Sequence, residues 1–195
     1  MNYDLILGIL NIVLISTTPL VFAGIGELVT EKSGVLNLGL EGLMLVGAVS
    51  GFISLVITGN YFYSFILSIL SGVVLSSIFA FFVLRLLTNQ IATGLALTIF
   101  GIGLSAMLGK KFAGTPINGL SPYYLIIFSF ILVFLINYIL YKTKAGLIIR
   151  AVGENHHSAY ALGYDVIKTR YLTIIFGGVM SSFPGRIMHS HDFRD

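Results

Sequence analysis

Long uncharged apolar runs alternate with short polar breaks along this chain, and the runs are too long for the helices of a soluble core. Residues 5–26 carry no charge over 22 positions, enough at 1.5 Å per residue to cross a hydrocarbon layer of about 30 Å. By the same criterion spans are predicted over 38–58, 64–84, 91–109 and 123–141, the last bounded by Tyr123 and Tyr141. A sixth run, 171–183, has 13 residues before Pro184-Gly185 and is too short to cross unaided. In the first span Pro19 follows Thr17 and Thr18; a kink is expected there, with the two hydroxyls available to a carbonyl the proline leaves unpaired. The breaks are a polar connection at 27–37 with Ser33-Gly34 as its turn, an aromatic belt Tyr61-Phe62-Tyr63, a Pro/Gly-containing loop at 110–122, and the main polar segment, 142–170.

Two periodicities refine this. Ser68, Gly72, Ser76 and Ala80 recur every fourth residue in the third span, and Gly101, Ser105 and Gly109 do so in the fourth. Such stripes let neighbouring helices approach closely, which is where packing energy comes from in lipid. In the main polar segment Asn155 is a good N-cap, positions 155–162 allow about two turns, and Gly163 suits the left-handed position that stops a helix. A loop that only connected two spans would not need both caps. Residues 154–163 contain no Lys or Arg, so a protein-docking helix fits better than one lying on the bilayer surface.

Composition agrees with a membrane protein: 56% hydrophobic, 10% charged and mean hydropathy +0.97, against the roughly 25% charged residues of soluble domains. The net charge of +3 does not signal nucleic acid, because no Lys/Arg run exceeds two residues and loop cations of a membrane protein account for the excess. With the N-terminus outside, the inner face carries Lys32, Arg85, Lys142, Lys144, Arg150, Lys168 and Arg170, while the outer face carries Lys110 and Lys111 before the tail; the polar segment 142–170 is therefore cytoplasmic. The N-terminus lacks the basic region of a cleavable signal, so the first run reads as a retained span. Absence of cysteine excludes disulfides, thiolate metal sites and cysteine nucleophiles from this chain.

The polar residues of the apolar regions each carry two readings. Glu41 is the only charge between Leu38 and Leu84; it is either a first-turn carboxylate favoured by the dipole of a helix capped by Asn37, or a carboxylate facing a polar cavity. Asn89, Gln90 and Thr93 cluster at the start of the fourth span, as a capped helix end or as a polar lining for a solute with hydroxyls or ring nitrogens. His156-His157 is not a metal site: the two point about 100° apart, and no Asp, Glu or His follows at helical spacing. Residues 103–110 fall short of a phosphate loop, with Leu104 and Lys111 where glycine and Ser/Thr are required, and no Gly-x-Ser-x-Gly or His-Glu-x-x-His motif occurs. No catalytic residue, cofactor or metal is expected, and if energy is spent, another chain spends it.

Two blocks carry a family resemblance. Residues 18–48, including Ser-Gly-Val-Leu-Asn-Leu-Gly-Leu-Glu-Gly, together with Arg150-Ala-Val-Gly-Glu-Asn and Ala161-Leu-Gly163, resemble the permease subunits of bacterial ATP-binding-cassette importers, in particular the simple-sugar and nucleoside permeases related to the branched-chain amino-acid permeases. The resemblance extends to about Ser182. It implies an all-α, polytopic transmembrane helix bundle of about five spans plus a partial sixth, in the bacterial cell membrane. It makes the cytoplasmic helix the coupling helix that sits in a groove of the ATPase, and puts Gly153, Glu154, Asn155, Ala159, Ala161, Leu162 and Gly163 on it. The sequence His156-His157-Ser158 departs from the family, which more often has a proline or an acidic residue there. The implied partners are an ATPase subunit, a second permease subunit, an extracytoplasmic solute-binding protein and the lipid bilayer. Asn37, Glu41, Asn89, Gln90 and Thr93 are the candidates for the solute path. The expected function is ATP-driven import of nucleosides or simple sugars; the alternatives are branched-chain amino acids or a non-transporting truncated fragment. After Ser182 the composition changes: six of the last ten residues are Arg, His or Asp. The expectation is thus a partial permease domain over 1–182 and an atypical tail over 183–195, from truncation or a shifted frame.

Overall fold

In the computed structural model, residues 3–115 and 122–183 are described, and all their regular elements are helical. The first helix, α1 (Tyr3–Lys32), is longer than the apolar run that predicts it. Glu27, Glu31 and Lys32 continue it instead of forming a loop: charge ends a membrane span but does not end a helix. The stop is Gly34, which takes φ +83 in a turn closed by bonds from the Ser33, Gly34 and Val35 amides to the carbonyls of Thr30 and Glu31. The connection is therefore 33–39, not 27–37. Pro19 sits inside α1. The Thr17 and Thr18 hydroxyls donate to the carbonyls of Val13 (2.8 Å) and Leu14 (2.7 Å), each four residues back. They do not reach the Ile15 carbonyl, the one a proline at 19 would release, because a hydroxyl bonds along its own turn.

The next three helices match the predicted spans closely: α2 (Leu40–Thr58), α3 (Tyr61–Ala80) and α4 (Gln90–Gly109). Each start or stop has a local cause. Gly59 ends α2 in the left-handed region, Asn60 caps α3 through the Phe62 amide, and Asn89 caps α4 through the Ile91 and Ala92 amides. The C-terminal end of α3 widens into a π-helical turn, Phe81–Arg85. After α4 a 3-10 turn (Lys110–Phe112) leads toward α5 (Pro122–Lys142). Part of the loop predicted at 110–122, residues 116–121, lies outside the described residues, as does the tail from residue 184.

The main polar segment is not one short helix between connectors. It holds α6 (Lys144–Glu154), capped by Thr143, then α7 (His156–Ala161), capped by Asn155, and the first turn of α8 (Val166–Ser182), capped by Asp165. The sixth run therefore begins at Val166, five residues before the predicted Tyr171. Among the described residues, five helices, α1 to α5 with the short turns that extend α3 and α4, are long and apolar enough to cross a membrane.

Helix α8 is the centre of the bundle. Its small residues meet those of its neighbours: a Cβ added at Gly26 would lie 2.9 Å from the Gly177 carbonyl oxygen, and one at Gly47 2.6 Å from Ser182 Cα. The predicted stripe on α3 faces the same helix, with Ser68 donating to the Ser182 carbonyl and a Cβ at Gly72 blocked by Gly178 and Ser182. All four stripe residues are buried. The stripe on α4 packs on α2 at Gly101, where a Cβ would stand 2.5 Å from Gly42 Cα; Ser105 is buried and Gly109 only half so. Around these contacts lie two apolar clusters, one built on Leu43, Leu75, Phe79 and Ile174, the other on Phe22, Leu132, Ile136 and Leu140. Phe183 joins the second, its ring 5.6 Å from Phe22 and 5.2 Å from Phe65.

Candidate functional site

Helix α7 is presented by a short chain of local constraints. Gly153, at the end of α6, packs so closely on the turn after α1 that a Cβ would strike the Lys32 carbonyl and stand 3.1 Å from the Gly34 amide. The same turn is held from the other side by Arg170, whose Nε donates to the Ser33 carbonyl at 3.1 Å, and by Thr173, whose hydroxyl shares a 2.8 Å bond with that of Ser33. The end of α6 is thus anchored to both α1 and α8. The chain then reverses through Asn155 (φ −150, ψ 94), whose side chain accepts from the Ser158 amide at 3.1 Å. One and a half turns later Gly163 takes φ +86, with its amide on the Tyr160 carbonyl and that of Tyr164 on Ala159. Both predicted caps are in place.

Within α7 only Ala159 is buried, at 1% exposure, and it is the residue that seats the helix on the bundle. Glu154, Asn155, His156, His157, Ser158, Ala161, Leu162 and Gly163 are exposed, and Tyr160 and Leu162 at 75% and 74% are large apolar surfaces. The His156 and His157 rings lie 4.1 Å apart, a ring contact. Of the seven residues assigned to coupling, five are on the exposed surface, while Gly153 and Ala159 hold it in place.

The five path candidates lie in the connection 33–39 and in the first turns of α2 and α4. Asn37 is buried at 1% exposure and its Oδ1 accepts from the Gly39 amide at 2.9 Å; it shapes the connection, and Gly39, not Asn37, is the N-cap of α2. Glu41 is in the first turn of α2 and exposed, as the dipole reading expects. Asn89 caps α4, and Thr93 returns its hydroxyl to the Asn89 carbonyl at 2.8 Å while pairing with Thr88. Gln90 accepts from the Leu36 amide at 2.9 Å. Four of the five are therefore bonded to backbone near the connection 33–39.

One residue the sequence reading passed over belongs with them. Glu27 Oε1 accepts from the Asn37 amide at 2.9 Å, and its Oε2 is buried without a partner. The connection 35–39 is held between Glu27 on α1 and Gln90 on α4, with Thr98 donating to the Leu38 carbonyl at 2.8 Å. The available signal was a carboxylate one residue past an apolar span. Helix α6 was also legible: Ile148 and Val152 are spaced by four behind a Thr143 cap.

Comparison with known proteins adds to this geometry. Residues 9–191 match the family described as "Branched-chain amino acid transport system / permease component". TsgC13 of Haloferax volcanii, named as a glucose ABC transporter permease protein, is 36% identical over 91% of this chain and 61% of its own length. The guanosine ABC transporter permease protein NupQ of Bacillus subtilis is 28% identical over 91% of this chain and 65% of its own. The nucleoside ABC transporter permease protein NupC of Lactococcus lactis is 29% identical over 89% and 64%. The chain spans somewhat less than two thirds of the length of each of these relatives. No solved structure matches the chain.

Proposed function

Since the chain belongs to the permease-component family of branched-chain amino acid transport systems, a family of multi-pass membrane proteins, we propose that it serves as a permease subunit of an ATP-driven importer for nucleosides or simple sugars. The observation that carries the reading is α7: a doubly capped helix at the cation-rich end of the bundle, exposed except where Ala159 seats it. In this reading a separate ATPase subunit grips Tyr160 and Leu162, with Glu154 at the edge of the contact. An extracytoplasmic binding protein delivers the solute, and a second permease subunit completes the path.

The mechanism is a coupling of free energies. ATP-driven closure of the ATPase pair shifts the permease between inward and outward states only to the extent that it binds them differently. Movement imposed on α7 passes through Gly153 to the turn after α1 and through Arg170 to α8, the two elements that meet in the bundle centre. The test is uptake in vesicles with the complete set of subunits, comparing wild type with Glu154→Ala and Tyr160→Ala. Lower uptake per ATP hydrolysed, with unchanged solute affinity at the binding protein, is expected. Wild-type uptake in both variants would overturn the docking role.

The family description keeps branched-chain amino acids as a second reading of the solute. The relatives named for glucose, guanosine and nucleosides favour the first. Competition of labelled guanosine or glucose uptake by excess leucine separates the two: strong competition would favour the amino-acid reading.

A further inference from the structure

A slot of about 360 Å³ opens between α1, α5, α6 and α8, within the range of small-ligand pockets. Val29, Ile136, Leu140, Ile148, Leu172 and Phe176 supply most of its wall. Two hydroxyls also reach it, those of Thr169 and Thr173, and both are already engaged: Thr169 donates to the Asp165 carbonyl at 2.8 Å and Thr173 to the Arg170 carbonyl at 2.9 Å. A sugar or nucleoside entering here would lose its water and find no free donor and at most the two threonine oxygens as acceptors, leaving most of its polar groups unpaired at a cost of about 1–3 kcal/mol each. The occupant has to be hydrocarbon.

The position of the slot narrows the source. Val29 is three residues before Lys32, and Leu140 is two before Lys142, so the wall lies within about two turns of the cytoplasmic ends of α1 and α5. That is the depth of the upper acyl chain of the inner leaflet. Lys144 stands four residues before the wall residue Ile148 on α6, and Lys168 four before the wall residue Leu172 on α8, so each lies on the same helix face one turn from the wall; Arg150 follows Ile149. Lys144 and Lys168 are exposed. Arg150 lays its guanidinium 5.0 Å over the Tyr141 ring and leaves its buried Nε unbonded. The one acid in this group, Asp165, has Oδ1 occupied by the Lys168 amide.

The geometry points to an anionic phospholipid of the inner leaflet bound at this slot, with one acyl chain against α5, α6 and α8 and its phosphate between Lys144 and Lys168. This holds whatever solute the chain carries. It would brace α6, the helix whose C-terminal end positions α7, so that the lipid is part of how the coupling surface is held.

Because the chain contains no tryptophan, a single introduced indole reports the site without background. The full chain carrying Leu172→Trp, at a wall position 58% exposed, is reconstituted in mixed phosphatidylcholine and phosphatidylglycerol vesicles. A dibrominated acyl chain is placed on one lipid or the other at the same mole fraction. Stronger quenching by brominated phosphatidylglycerol is expected, with a preference of about fivefold per lysine, the size one Lys near an anionic surface supplies. Ile99→Trp, on the far face of α4, should be quenched equally by both. Lys144→Gln with Lys168→Gln should remove the preference, and so should Ala145→Phe, which fills the slot and leaves the charges. Equal quenching at Leu172→Trp, or a preference that survives either change, would overturn the proposal. The first result would mean bulk lipid or a protein segment covers the slot, and the survival of preference in Ala145→Phe would mean surface attraction alone.

Discussion

At the residue scale, single atoms hold the turns that carry the candidate site. Gly163 has φ +86, so Gly163→Ala forces a β-carbon into the left-handed region at about 1–2 kcal/mol. In the transporter proposed above this should lower uptake and solute-stimulated ATP hydrolysis while leaving binding-protein affinity unchanged; Gly163→Asn should be milder, since Asn tolerates that conformation. Glu27 is a different case. Glu27→Ala removes the acceptor of the Asn37 amide, leaving a donor in a part-buried site at about 1–3 kcal/mol, whereas Glu27→Gln keeps a carbonyl oxygen there. Thermal unfolding in detergent is expected to show a lower midpoint for Glu27→Ala and a smaller shift for Glu27→Gln; equal shifts would mean charge, not the bond, matters. The caps at Asn155 and Gly163 were legible in the sequence because capping is a property of one turn. The Glu27 bond was not, because its donor, Asn37, is on another element.

At the element scale, helices end where local chemistry ends them and pack where small residues permit. Asn155→Ala removes the only side-chain acceptor at the start of α7, worth about 1 kcal/mol, a large share of the stability of a six-residue helix. Faster amide exchange confined to 156–161 is the expected outcome, with Asn155→Asp close to wild type. Gly101 sets how closely α4 approaches α2, and Gly101→Val should push them apart; a loss of folded yield is expected, and monodisperse protein of wild-type stability would show that the interface can give way. The span positions of α2 to α5 follow from apolar run length. The extra turns of α1 and the early start of α8 did not, since polar residues leave the bilayer without breaking the helix.

At the scale of the whole molecule, the connections 33–39 and 143–165 and the start of α4 meet at one end of the bundle through Gly34, Gly153, Arg170 and the Leu36–Gln90 bond. The cations counted by the positive-inside rule are gathered there. Since the chain has no cysteine, sidedness can be measured directly: in right-side-out vesicles a membrane-impermeant maleimide should label Lys111→Cys and not Tyr160→Cys, with the reverse pattern in inverted vesicles. Labelling of Tyr160→Cys from outside would invert the topology and remove α7 from the ATPase side.

By itself the sequence determined the long apolar runs of α1 to α5 and the capped form of α7, because hydropathy and capping act within one run or one turn of chain. Only the tertiary structure decided that α8 lies at the centre, that Gly153 anchors α7 to the turn after α1, and that Asn37, Asn89, Gln90 and Thr93 bond the backbone around one connection. Those outcomes depend on which helices meet. In an apolar bundle that is selected by small-residue contact and by where each backbone amide finds its acceptor, between residues as far apart as Ser33 and Arg170.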